Sequence, residues 1–270
     1  MIDTFLQIVK ENWGWRKQIA NLAVFDLKKK ARGAALGWMW FLIKPAMYIG
    51  CFWFALCVGL RSGHSAASGA PYILWLSAGI VPWFFMSDML NSGCNAMKSY
   101  PYLVNKIKFP LSGISTICTS ATMIVHLILM AALMIGYFAC GMHFDLYLLQ
   151  LPVIIVLMFL FWDVFSIFFS PLSALSKDVA NLMKAFSTPL FWLSGVLFDI
   201  QSVNVQWIQT LMLFNPVTFF TRAYRAVLVD KVWIWEDPAL CLGFLAVFAV
   251  CTVLMLVVSK RLAKDVADVL

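Results

Sequence analysis

YLLQLPVIIVLMFLFWDVFSIFFSPL, residues 147–172, is the stretch of this chain that decides its fold. Its 26 residues include a single acidic or basic side chain, Asp163. A helix that crosses the hydrocarbon core of a bilayer needs roughly 20 predominantly apolar residues, because each residue adds only about 1.5 Å of rise. A run of this length with so little charge predicts a transmembrane helix.

The rest of the chain has the same character. Hydrophobic residues make up 63% of its 270 residues and charged residues 12%, with a mean hydropathy of +0.87. This composition excludes an ordinary soluble domain. The predicted spans cover residues 38–60, 72–94, 111–140, 147–172, 182–198 and 238–258. We therefore expect an all-α polytopic membrane protein with six transmembrane helices.

The distribution of positive charge predicts the orientation. The first 35 residues are polar and basic and lack the short apolar core of a cleavable signal peptide. Fifteen of the 20 Lys and Arg residues lie in the N-terminal arm, the second-to-third loop, the fourth-to-fifth loop and the C-terminal tail. Cytoplasmic loops carry such an excess, so both termini are expected in the cytoplasm. The net charge of +7 then favours contact with anionic lipid over nucleic-acid binding.

Residues 1–35 form a basic arm with apolar residues at helical spacing. An amphipathic helix lying in the cytoplasmic membrane interface is expected here. The arm either sets the topology or contacts a partner. Its apolar residues are Trp15, Ile19 and Leu22, followed by Val24, Leu27 and Ala31.

A second amphipathic segment, SYPYLVNKIKFP, interrupts the apolar sequence at residues 99–110. Ser99 is a candidate N-cap, Pro101 falls in the first turn, and Pro110 ends the helix. A connector needs only a few residues, so this helix indicates a surface offered to another protein, with rest on lipid as the alternative. Its apolar stripe at i, i+3, i+4 and i+7 consists of Tyr100, Leu103, Val104 and Ile107, with Lys106 and Lys108 beside it.

No motif for covalent chemistry stands out. The seven cysteines have no CxxC spacing and the three histidines no ligand spacing, so neither a metal site nor a catalytic residue is predicted. The phosphate loop GxxxxGK[ST] is missing, so ATP and its Mg²⁺ need a separate subunit and no cofactor is expected in this chain. Asp88 and Asp163 lie within predicted spans and would suit a proton-coupled secondary transporter, which is the rival prediction. A membrane transferase would need converging acid, base or nucleophile groups, and the sequence has no such cluster.

Five motifs, in order, resemble the landmarks of polysaccharide-exporting ABC transporter permeases, which export teichoic acid or O-antigen chains. The resemblance covers nearly the whole chain. Two departures are Lys177, where the family usually has Arg, and Ser194-Gly195-Val196 in place of a frequent Ser-Pro-Ile, which affects the bend after the fifth span. The motifs are LGWMWFLIKP (36–45), PYILWLSAGIVPWFF (71–85), YLVNKIKFP (102–110), SKDV (176–179) and NPVTFFTRAYR (215–225).

The resemblance implies a half-transporter whose six-span permease domain, residues 36–270, pairs as a homodimer. Two copies of a cytoplasmic ABC ATPase would drive it, and its substrate would be a polyprenyl-linked polysaccharide in the bacterial cytoplasmic membrane. Efflux of a drug or lipid is the alternative within this class. Residues 99–110 would be the coupling helix that docks on the ATPase, through Tyr100, Leu103, Val104, Lys106, Ile107 and Lys108.

Roles outside the coupling helix are predicted from the residues, and for the gate the resemblance implies the same. Residues 199–235 contain two apolar segments too short to span, separated by Asn215-Pro216, and are expected to form external re-entrant gate helices. Arg222, Tyr224 and Arg225 would belong to this gate, where the arginines meet an anionic sugar or snorkel to headgroups. Trp83, Phe84 and Phe85 are candidates for the substrate path, because flat rings suit stacking on sugars, with core packing as the alternative.

Overall fold

The computed structural model describes residues 2–59, 69–106 and 109–269, and within these ranges it describes side chains except those of 2, 104–106 and 263–269. All regular structure in the described part is helical. The α-helices are α1 (Ile2–Gly14), α2 (Arg16–Ala31), α3 (Trp40–Trp53), α4 (Tyr72–Asp88), α5 (Ala96–Ser99), α6 (Pro101–Lys106), α7 (Leu111–Ala139), α8 (Gln150–Leu175), α9 (Lys177–Leu193), α10 (Gln206–Leu213), α11 (Pro216–Arg225) and α12 (Pro238–Val269).

Five helical segments of the described chain are long and apolar enough to cross a membrane, which confirms the all-α polytopic fold. The predicted span at 182–198 corresponds to α9, whose 17 residues end at Leu193. The count of six spans therefore stays a prediction. The five segments are Gly37–Gly59, Tyr72–Gly93, Leu111–Ala139, Leu146–Leu175 and Pro238–Leu262.

Local sequence explains the limits of α9. The Ser176 hydroxyl accepts a hydrogen bond from the Asp178 N–H at 3.2 Å, which caps the first turn. At the other end the chain turns at Gly195, whose φ of +75° lies in the left-handed region that glycine tolerates. The departure from Ser-Pro-Ile thus still produces a bend, but with a glycine conformation in place of a proline.

The core is built around α4. In the spanning segment Tyr72–Gly93, which contains α4, 72% of the most apolar part is buried inside the protein. The corresponding value for the segment Gly37–Gly59 is 6%. Helix α4 packs against α7 and α11, while α8 packs along α12. Large side chains such as Phe85, Phe161 and Phe220 fill the space between these helices. Helix α3 therefore lies at the edge of the chain, with most of its surface open.

The N-terminal arm forms two helices where one was predicted. Helix α1 ends at Gly14 and α2 starts at Arg16, because glycine lowers helix stability at this point. The buried row of α2 repeats every four residues and packs on α7. It consists of Ile19, Ala23, Leu27 and Ala31, so Val24 and Trp15 do not belong to the fully buried row.

Helices α10 and α11 occupy the region before the last span. The Asn215 side chain accepts a hydrogen bond from the Val217 N–H at 2.9 Å, and Pro216 occupies the first turn, so the predicted turn between the two helices is present. Helix α11 continues into a π-helical turn over Ala226–Asp230. From residue 216 to 230 the rise is about 22 Å, less than the roughly 30 Å of a bilayer core.

Candidate functional site

The segment predicted as a coupling helix lies against the N-terminal arm. Helix α6 covers Pro101–Lys106, and Tyr100 and Leu103 are 9% and 3% exposed. Both side chains belong to one apolar cluster with Leu27 of α2 and Phe109. This corrects their expected position: they are covered by this chain itself, because α2 fills the side that was expected to face a partner.

Charge supports the same contact. Lys30 and Asp26 form an ion pair along α2 at 3.1 Å. Burial is the largest single influence and lowers the pKa of Lys30, but the charge and hydrogen bond of Asp26, together with weaker charges farther away, give a net upward shift. Burial and the nearby Asp26 carboxylate raise the pKa of Tyr100. The phenol of Tyr100, the residue directly before α6, therefore stays neutral beside Asp26 of α2.

Tyr102 lies on the outward side of α6, where its side chain is 45% exposed. The side chains of Val104 and Lys106, and residues Ile107 and Lys108 altogether, lie outside the described part of the chain. Their expected contact with an ATPase stays a prediction.

At the opposite end of the molecule, Arg225 is 4% exposed and enclosed by backbone carbonyl groups. Its Nη1 donates to the Gly195 oxygen at 2.6 Å and its Nη2 to the Val196 oxygen at 2.5 Å. Its Nε donates to the Trp75 oxygen at 3.3 Å, and the guanidinium lies 3.4 Å from the centre of the Trp75 ring. The guanidinium therefore joins α4, α11 and the turn after α9, and its main contacts are structural.

Gly79 makes room for this arrangement. A Cβ atom at position 79 would lie 2.5 Å from Nη2 of Arg225 and 2.8 Å from the Val196 oxygen. Ordinary side chains do not tolerate contacts this short. A glycine in α4 is thus required by the arginine that inserts beside it.

Arg222 differs from Arg225, although both end the same motif. It forms an ion pair with Asp237 at 2.9 Å and keeps 21% of its side chain exposed. Arg222 and Arg225 both line a cavity of about 530 Å³. Trp75, Asp199, Asp230 and Trp233 also line it, so the cavity offers aromatic faces together with charges of both signs.

Tyr224 is fully buried, and its hydroxyl lies 2.7 Å from Nε2 of His126. His126 belongs to α7, so this contact fixes α11 to the middle of a spanning helix. The sequence analysis missed it, because the two residues are 98 positions apart and no motif surrounds the histidine.

The predicted substrate-path rings are largely covered. Trp83 and Phe85 are 5% and 2% exposed, and Trp83 lies against Phe191 of α9 with ring centres 5.3 Å apart. Phe84 is half-buried beside Tyr48. The chain itself occupies the faces of the two buried rings, as the packing alternative expects. Contact between any of the three rings and sugar stays a prediction.

A second contact near the cavity was also missed by the sequence analysis. The Nζ atom of Lys231 lies 2.6 Å from the Asp145 carboxylate and donates to the Tyr137 hydroxyl at 2.5 Å. Lys231 adopts a left-handed φ of +57°, uncommon for a side-chain-bearing residue. These contacts tie the turn after α11 to the hairpin between α7 and α8.

The intramembrane acids do not form a site with each other. Asp163 accepts a hydrogen bond from the Thr116 hydroxyl at 3.1 Å, whereas Asp88 lies exposed at the end of α4. Within the described residues, no three His, Cys, Asp or Glu side chains are grouped to hold a metal ion.

Comparisons with known proteins agree with this arrangement. The chain is similar to the O-antigen export system permease protein RfbA of Myxococcus xanthus, with 19% identity over 95% of this chain and 97% of that protein. It is also similar to the O-antigen export system permease protein RfbA of Klebsiella pneumoniae, with 21% identity over 91% of this chain and 92% of that protein. The sequence profile of the ABC-2 type transporter family matches residues 17–229, from α2 to the end of the turn after α11. On this match the chain belongs to the ABC-2 type transporter family.

Proposed function

We propose that this chain is the transmembrane subunit of an ATP-driven exporter that moves a lipid-linked polysaccharide, of O-antigen or teichoic acid type, out of the cytoplasm. The observation that carries the proposal is the similarity to two O-antigen export permeases over more than nine-tenths of the chain. The substrate would be attached to a polyprenyl carrier.

The partners follow from this role. Two copies of a cytoplasmic ABC ATPase bind and hydrolyse ATP with Mg²⁺, and two copies of this chain form the path in the bacterial cytoplasmic membrane, with both termini in the cytoplasm. In the segment Gly37–Gly59 only 6% of the most apolar part is buried within the chain. This open apolar surface supports pairing with a second copy. The mass of the purified complex in detergent tests this stoichiometry.

Export itself is tested by deleting the gene in its own host and restoring it on a plasmid. Deletion should abolish surface glycan and cause lipid-linked glycan to accumulate inside the cell. Inactivation of the ATPase partner should give the same result. Normal surface glycan with altered resistance to a drug, or altered lipid distribution, would instead favour the efflux alternative.

The coupling role of 99–110 is best tested with neighbouring residues on opposite sides of α6. Tyr102 is 45% exposed and Leu103 is 3% exposed. If α6 docks on the ATPase, Tyr102→Ala should weaken co-purification of the ATPase about tenfold, as loss of an aromatic anchor does, without lowering the melting temperature of the permease. Leu103→Ala should lower the melting temperature first, because it opens the contact with α2. Full co-purification and transport in both variants would remove the coupling role from this segment.

In the external cavity we assign direct substrate contact to Arg222 and a positioning role to Arg225 and Tyr224. Arg222 keeps 21% of its side chain exposed, more than Arg225 or Tyr224, and charge-assisted bidentate bonds suit an anionic sugar or phosphate. Arg222→Gln should reduce export of an anionic glycan more than that of a neutral one. Equal reduction for both would point to loss of the Asp237 ion pair.

A further inference from the structure

A cavity of about 480 Å³ lies where α1 crosses the ends of α7, α8 and α12. Ile8 of α1 is 8% exposed and packs on Ile167 and Met255, so the helix is held to the bundle by an apolar contact beside the cavity. The walls combine apolar side chains with a few polar ones. The polar side chains that matter here are Gln7, Glu11, Ser112 and Lys260.

One end of this cavity is the N-terminus of α7. The helix begins at Leu111 after Pro110, and no side chain caps its first turn. The amide groups of a first helical turn lack intrahelical acceptors, and the helix dipole adds partial positive charge there, so the position favours an anion.

The side chain of Ser112 provides a second, independent observation that points to a ligand in this cavity. It lies in the first turn of α7, lines the cavity and is 7% exposed. Its hydroxyl has no hydrogen-bond partner among the described residues. A buried polar group left without a partner destabilises the protein, so a ligand that pairs with the Ser112 hydroxyl gains affinity from removing that cost.

The charges of the cavity are of both signs and lie on different helices. Glu11 stands on α1, where one of its carboxylate oxygens accepts a hydrogen bond from Gln7 at 2.8 Å, and Lys260 stands on α12. A ligand carrying one anion and one cation would pair with both. A purely anionic ligand would meet repulsion from Glu11.

Lipid also has access to this place. The outer side of α1 exposes Phe5, Val9 and Trp13 by 42%, 49% and 70%, as expected for an amphipathic helix whose apolar face lies among acyl chains. Three of the helices that form the cavity are long enough to span the bilayer.

We infer that this cavity binds the headgroup of one phospholipid that carries a phosphodiester and a primary ammonium group, as phosphatidylethanolamine does. The phosphate lies at the N-terminus of α7, where it accepts hydrogen bonds from Ser112 and Lys260. The ammonium group donates to Glu11. The bound lipid thereby holds α1 against the bundle.

The test uses the full-length protein, purified in detergent and stripped of lipid, with native mass spectrometry to count bound lipids. We expect one saturable phosphatidylethanolamine, bound about tenfold more tightly than phosphatidylcholine, whose methylated ammonium cannot donate to Glu11. Phosphatidylglycerol should also bind about tenfold more weakly, because it lacks the cation.

Variants locate the site. Glu11→Gln and Lys260→Gln should each weaken phosphatidylethanolamine binding by about tenfold, whereas the exposed neighbours Asp3→Asn and Arg261→Gln serve as controls without effect. Ser112→Ala gives the sharpest comparison, with Ser120→Ala on the same helix as its control. Without a ligand, removing an unpaired hydroxyl leaves the melting temperature unchanged or higher. When phosphatidylethanolamine is added, Ser112→Ala should lose most of the increase in melting temperature that this lipid gives the unsubstituted protein.

Other outcomes would overturn the inference. Equal binding of phosphatidylglycerol that Glu11→Gln does not alter would show a site for lipid phosphate alone. Preference for a polyprenyl phosphate would assign the cavity to the carrier of the exported glycan. The absence of saturable binding would show that the cavity holds no headgroup.

Discussion

Arg225 carries a formal charge inside a cluster of apolar side chains, and its surroundings explain how the fold tolerates it. Carbonyl oxygens of Gly195 and Val196 accept from the guanidinium, and the Trp75 ring covers it. A planar fork with five donors can serve several carbonyls at once, which an ammonium group cannot.

Arg225→Lys should therefore destabilise the protein by about 2 kcal/mol, because lysine keeps the charge but loses the hydrogen bonds of the fork. The measurement is the melting temperature of the purified protein in detergent. Arg222→Lys is the matched control on the same helix and should change stability less, since its ion pair is partly exposed and lysine can still pair with Asp237. An unchanged melting temperature for Arg225→Lys would contradict the structural role.

Gly79→Ala should be destabilising by about 1–3 kcal/mol, because the new methyl group collides with the guanidinium and forces it from its carbonyl partners. Gly136→Ala on α7 is its control, since nothing lies within 4 Å of a Cβ atom there. For each variant, the measurement is the fraction of detergent-solubilised protein that stays folded after a heat step. Alanine by itself favours a helix over glycine. Equal loss in the two variants would therefore mean that the close approach at position 79 does not decide the effect.

Sequence reasoning found Arg222 and Arg225 but treated them as equivalent, because they lie three residues apart on one helix. The distinction depends on partners far away in the chain: Asp237 for one, Trp75 and Gly195 for the other. Spacing along α11 contains no information about these contacts, and the same holds for the His126–Tyr224 pair.

At the scale of elements, the segment that contains the short α6 shares one apolar cluster with the arm helix α2. Leu27 is 1% exposed within the cluster that also contains Leu103, Tyr100 and Phe109. Helix α2 in turn packs on α7, so the cluster connects the segment before the third predicted span with the N-terminal arm.

Leu27→Ala should destabilise this unit by about 2–5 kcal/mol, the usual cost of truncating a buried leucine. Limited proteolysis of the arm in inside-out vesicles is the measurement, with faster cleavage expected. Val24→Ala, one turn away and 40% exposed, is the control and should be cleaved at the original rate. Similar rates in both variants would mean that α2 is not anchored through this row.

Element types and limits were largely predictable, since long apolar runs and Pro or Gly punctuation determine them locally. The turn at Asn215-Pro216 and the long α7 and α8 agree with expectation. The break at Gly14 and the inward position of Leu103 were not predicted. An amphipathic stripe indicates that something covers it, but whether a partner or the chain itself does so depends on tertiary packing.

For the whole molecule, the hairpin between α7 and α8 should face the outside, because α7 is long enough to cross the membrane and follows segment 99–110, which is expected in the cytoplasm. Cys140 is exposed at this hairpin, and Lys10 is exposed on α1. A membrane-impermeant maleimide should label Cys140 in right-side-out vesicles. In a variant with Lys10→Cys and Cys140→Ser, labelling should require inside-out vesicles. The reverse pattern would overturn the orientation derived from the positive charges.

The buried guanidinium of Arg225 also has an electrical consequence. Helix α11 packs on α4, a helix long and apolar enough to span the membrane, so a fixed positive charge lies beside a spanning segment. Moving one elementary charge through the whole membrane voltage changes the energy by about 2.3 kcal/mol per 100 mV. If α11 stays seated while glycan passes, the export rate should hardly depend on voltage. If α11 swings outward in each cycle, the charge moves with it, and the steepness of the rate against an imposed potassium diffusion potential reports how far it travels.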